Sequence, residues 1–178
     1  MYNKTLWSEL KPGSSSSDDS ENGVESFNDY MARVGHLVPN VPRNVLEHWI
    51  YRHYTHILNE YIELGIENMR FIQESWESDR IYNDIKSFKG EELGGMGFHV
   101  YEIEDEDDAE NWLADYMRDQ RTWPTPIIVL KNVELDLLGE PYHLMEGHRR
   151  LDYLREVYQE ERTTLKSLHQ VWVTEIIK

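Results

Sequence analysis

The residues best suited to chemistry lie together in Tyr142-His143-Leu144-Met145-Glu146-Gly147-His148-Arg149-Arg150-Leu151. A short apolar run meets a glycine, and helical spacing of apolar residues begins directly behind His148, Arg149 and Arg150. That order reads as a strand, a tight turn and a helix start. The first N–H groups of a helix lack intrahelical partners and sit at the positive end of its dipole, so such a start favours anions. Gly147 would let the backbone approach a ligand closely. His148 can donate to a phosphate oxygen, and Arg149 and Arg150 carry planar, permanently charged forks suited to bidentate phosphate contact. Glu146 can hold a magnesium ion, serve as a general base or orient Arg149 through a salt bridge. The competing reading pairs Arg149 and Arg150 with Glu146, Asp152 or Glu156 on a solvated helix face.

Two other groupings have ligand-like composition. Glu102, Glu104, Asp105, Glu106, Asp107 and Asp108 form an acidic run that can supply metal ligands, although such runs are most often solvated loops. His48, His53 and His56 lie on one helical pattern, with Glu60 one turn beyond His56. That spacing can gather two imidazoles and a carboxylate on one face, but no second half-site is visible, which favours packed or surface histidines.

The elements that must position these residues follow from periodicity. Residues 11–22 are polar, serine-rich and without period, as a flexible linker is, while Leu6, Trp7 and Leu10 before them can dock as a short helix. Val24, Phe27, Tyr30, Met31 and Val34 suit a short helix. Pro42, Arg43 and Asn44 open a long helix whose apolar stripe includes Leu46, Trp49, Ile50, Ile57 and Tyr61, with Gly65 as its stop. Helical spacing is expected to continue through Met69, Ile72 and Trp76 towards Phe88, making residues 24–89 a helical layer. Four glycines in residues 90–97 mark a turn-rich loop. Beyond it the pattern predicts strands over residues 98–103, 125–131, 142–145 and 171–177, and helices after the acidic run and over residues 148–161. The expected organisation is α+β: a flexible segment over residues 1–23, a helical region over 24–89, and a small mixed-sheet domain over 98–178.

Composition narrows the function classes. The 178 residues hold 34 Asp and Glu against 18 Lys and Arg, a formal net charge of -16, which repels phosphate backbones and disfavours non-specific nucleic-acid binding. The absence of cysteine removes disulfides, thiolate metal sites and thiol catalysis. Runs such as Ile127-Ile128-Val129-Leu130 are far short of the ~20 apolar residues of a membrane span. No signal-like pattern opens the chain, and a cytoplasmic location is the expectation.

Pro126-Ile127-Ile128-Val129 followed by Glu146-Gly147-His148-Arg149-Arg150-Leu151 resembles the ParB/sulfiredoxin-like superfamily, in which a glycine turn and the following Arg-bearing helix bind nucleotide phosphates. The resemblance covers residues 98–178 and implies that Gly147, His148, Arg149 and Arg150 contact the phosphates of a nucleotide such as ATP or CTP, with magnesium. Two activities of such proteins are not implied. Gly147 stands where sulfiredoxins carry their reactive cysteine, so the sulfinic-acid reductase reaction is excluded. Partition proteins have a glutamate where His148 stands and continue into a helix-turn-helix, whereas this chain ends directly after its last strand pattern. Phosphotransfer and phosphohydrolysis both stay open, with no catalytic carboxylate matched. Two further readings stand beside this one: a noncatalytic immunity- or inhibitor-type protein whose acidic surface meets a basic partner, and a superfamily member that keeps the fold without the ligand.

Overall fold

The computed structural model describes residues 3–14, 24–91, 100, 101, 108–132, 135 and 138–177. The chain forms two compact units, Met1–Phe71 with Glu175–Lys178, and Ile72–Thr174. Strands from both sides of residue 90 contribute to one sheet.

In the first unit, Asn3 caps α1 (Lys4–Glu9) by accepting from Leu6 N–H, and Ser26 caps α2 (Phe27–Val34) by accepting from Asp29 N–H. The two helices are tied by Tyr30, whose hydroxyl donates to the Leu10 carbonyl at 2.7 Å, and by Arg33, which donates to the Glu9 and Lys11 carbonyls. The long helix expected after Pro42 is broken into pieces. It starts as α3 (Arg43–Val45), widens into a π-helical stretch (Leu46–Tyr51) and resumes as α4 (Arg52–Glu60), with non-helical angles at His53. Its apolar stripe still buries Leu46, Trp49, Ile50, Ile57 and Tyr61 as the spacing requires. A 3-10 turn (Ile62–Leu64) then ends at Gly65, whose φ of 70° is the left-handed stop that glycine supplies without strain.

The second unit is built on a five-stranded mixed sheet in the order β1 (Met69–Trp76), β5 (His169–Ile176), β3 (Ile127–Lys131), β4 (Tyr142–Glu146), β2 (Ile85–Lys86). Phe71 in β1 and Glu175 in β5 mark the boundary with the first unit. β3 is antiparallel to β4 and parallel to β5, and β2 is parallel to β4. The helices of this unit are α5 (Ser78–Asp84), α6 (Asp108–Gln120) and α7 (His148–Glu161). Trp76, Ile81, Ile85, Met117, Ile127, Val129, Leu144, Leu151, Leu154 and Val171 share its core. The fold is therefore α+β with a mixed sheet, and no helix among the described residues is long and apolar enough to cross a membrane.

One expectation is corrected. Helical spacing runs through Met69, Ile72 and Trp76, yet residues 69–76 form β1. An apolar spacing of three and four residues over so short a run does not distinguish helix from strand. Pairing decides it here, with Arg70 against Glu175 and Ser75 against Gln170 along neighbouring β5. The strand expected over residues 98–103 and the acidic run from Glu102 to Asp107 lie mainly outside the described residues, and Val100 and Tyr101 form a bend.

Candidate functional site

β4 ends at Glu146, Gly147 takes φ 103° and ψ 29°, and α7 begins at His148. This is the strand, turn and helix start expected from the sequence. A Cβ on Gly147 would fall 2.5 Å from Ile127 Cγ2, so both the backbone conformation and the neighbouring strand demand glycine. Left-handed geometry and overpacking each cost an L-residue about 1–3 kcal/mol, and Gly147→Ala should lower stability by about 2–4 kcal/mol in denaturant titration. An unchanged midpoint would show that β3 and the turn move apart freely.

The first turn of α7 has no capping side chain and no carboxylate. Its positive end is therefore not answered by a carboxylate in its own first turn, as Asp29 answers that of α2 and Asp79 that of α5. His148 and Arg149, both half-buried, occupy this turn.

Arg150 has a different environment from Arg149. It is buried, and its Nη1 donates to the Thr125 carbonyl and Thr125 Oγ1, both at 2.6 Å, and to the Pro126 carbonyl at 3.2 Å. Its Nη2 donates to Glu146 Oε2. The guanidinium thus clamps the start of β3 to the end of β4, beneath the turn. The expected pairing of an arginine with Glu146 is present, but inside the protein instead of on a solvated face. Glu146 is accordingly engaged by Arg150. Among the described residues no three histidine or acidic side chains gather as a metal site.

The structure also brings together charged groups that sequence reasoning passed over. Glu91, His143, Asp152 and Arg155 are exposed by only 7, 4, 6 and 4%. Arg155 donates to Glu91 Oε1 at 3.0 Å and to the Ile85 carbonyl at 2.6 Å, and lies 4.0 Å from Asp152 Oδ1. Glu91 also accepts from Ser87 N–H. His143 Nδ1 accepts from Gly139 N–H at 3.3 Å, and burial with the nearby His148 pushes its pKa down to about 4, so the ring is neutral at pH 7. Burial and the Arg155 charge likewise lower the Lys86 amine below its ordinary value. The one available sequence signal was spacing: His148, Asp152 and Arg155 recur at four and three residues, which places them on one face of α7. Buried ionisable groups with shifted pKa values concentrate at functional sites, although structural networks show them too.

His56 Nε2 lies 3.3 Å from Glu60 Oε2, the expected one-turn pair, while His53 stands at the break in α4. A further buried imidazole, His169, is held between Ser78 Oγ at 2.9 Å from Nε2 and Thr122 Oγ1 at 2.8 Å from Nδ1. Ser78 donates to the Lys166 carbonyl at 3.2 Å, so it accepts from Nε2–H and the ring is a neutral tie between α5 and β5. Comparison with protein-family models, curated proteins and solved structures returned no match.

Proposed function

We propose that the chain binds the phosphate of a nucleotide or another phosphorylated small molecule at Gly147, His148 and Arg149, as a divergent relative of ParB/sulfiredoxin-like proteins. The observation that carries this reading is the start of α7, where a glycine in left-handed geometry leads from a buried strand into a helix without cap or carboxylate. Backbone N–H groups and the cationic side chains of one turn would then meet the anion together. Arg150 serves in this reading as a positioning residue that holds β3 against β4, and the turn in place, through Thr125, Pro126 and Glu146. The neighbouring Glu91, His143, Asp152 and Arg155 set a polar interior beside β4 and α7, from which transfer or hydrolysis of a phosphoryl group would draw any proton-handling residue.

Thermal unfolding with ATP, CTP, GTP and ADP tests the reading. Ligand at 100 times its Kd adds about 2.7 kcal/mol to the folded state, a rise in Tm of several degrees. Arg149→Ala should abolish that rise, measured against the variant's own Tm without nucleotide. Absence of any shift at millimolar nucleotide would reject the proposal. The net charge of -16 supports a second reading, a noncatalytic partner of a basic protein, which that negative result would favour.

A further inference from the structure

The broken helix of the first unit borders a cleft of about 440 Å³ whose walls include Lys11, Tyr51, Arg52, His53, Tyr54 and His56. Among the described residues no carboxylate lines it. In a chain with 34 acidic residues against 18 Lys and Arg, this cleft gathers Lys11, Arg52 and two imidazoles, one of them beside Glu60, and is locally rich in groups that can meet an anion. The remaining arginines of this unit are engaged elsewhere: Arg33 with Glu25, Arg70 with Glu175, and Arg43 with Asn28 and the Phe27 ring. Lys11 and Arg52 have exposed side chains with no ion-pair partner among the described residues.

The backbone explains how these groups meet. Residues 51–56 all border the cleft. A straight α-helix turns about 100° per residue and would spread six consecutive side chains around its whole circumference. Here the π-helical stretch ending at Tyr51 and the break at His53, with φ -121° and ψ 24°, remove that regularity. The two rings are fixed by their hydroxyls, since Tyr51 donates to the Glu25 carbonyl and Tyr54 donates to the Trp7 carbonyl at 2.6 Å. Rigid rings beside cations, in a volume within the usual ~300–1,000 Å³ of ligand pockets, match a flat organic group that carries an anion.

We propose that this cleft is a second ligand site, distinct from the turn before α7, for a phosphate monoester of mononucleotide size. Lys11 and Arg52 would meet the phosphate, and Tyr51 and Tyr54 would bound the ring. The probe is AMP, with adenosine as the control, titrated into the full chain while the imidazole resonances of His53 and His56 are followed by NMR. A saturable shift with AMP is expected, and the double variant Lys11→Ala/Arg52→Ala should weaken it by about tenfold or more, as charge-assisted phosphate contacts imply. Arg149→Ala should leave it unchanged, which separates this site from the one proposed at α7. No saturable shift, equal shifts with adenosine, insensitivity to the double variant, or loss in Arg149→Ala would each overturn the assignment.

Discussion

Arg155→Met should cost roughly 3–5 kcal/mol of folding stability in a urea titration, the range for removing one partner of a buried ion pair. Arg155 and Glu91 are almost fully enclosed, and the guanidinium is shared among Glu91, Asp152 and the Ile85 carbonyl. Its removal takes the guanidinium from buried Glu91 and from the Ile85 carbonyl that it donates to. Glu91→Leu should cost less, because Arg155 then keeps Asp152 and the Ile85 carbonyl. It is not neutral, since Ser87 N–H also loses its acceptor. The double variant Glu91→Leu/Arg155→Met should cost less than the two single changes added together, as coupled neighbours do. Strict additivity would show that the pair contributes no interaction of its own.

Acidification from pH 6.5 towards 4 should destabilise the chain by on the order of 3 kcal/mol for each of His143 and His169. Burial lowers both imidazoles to about 4, helped at His143 by the nearby His148. The folded chain therefore releases these protons more readily than the unfolded chain. Above about pH 6.5 both states are neutral at these positions, and pH has no effect through them. Between 6.5 and about 4 the unfolded chain takes up protons that the folded chain refuses, so stability falls as pH falls. Two such groups together rival the ~5–15 kcal/mol stability of an ordinary domain. Urea midpoints measured from pH 7.5 to 4 should show the loss. His169→Asn should flatten the slope by about one proton. A slope unaffected by that substitution would place the acid sensitivity elsewhere, for instance at Glu25, whose carboxyl is held low by Arg33.

The second half of the fold was readable because its signals are local. A continuous apolar run marked β3, and the ensuing helix pattern placed α7 at His148 to Glu161. Gly147 marked the turn between β4 and α7, with the positive φ that its position demanded. β1 was not readable, because Met69, Ile72 and Trp76 satisfy helical spacing as well as a strand does. Its state follows from pairing with β5, roughly a hundred residues away, as the Arg70–Glu175 bond shows. The candidate site divides in the same manner. Arg149 and Arg150 are adjacent and chemically identical in the sequence, yet only Arg150 is drawn under the turn by Thr125 and Pro126.

The sequence by itself determined where a strand must hand over to a helix at Gly147, since one residue type fits that backbone and the apolar periods on either side are unambiguous. It also determined the acidic balance and the absence of thiol chemistry. Only the tertiary structure decided which charges are enclosed. Glu91 and Arg155 are 64 residues apart, and nothing in either neighbourhood announces the other. Burying a charge is tolerable only when a partner is delivered to it, and that delivery is a property of how β2 and the residues after it pack against α7, which no local pattern encodes.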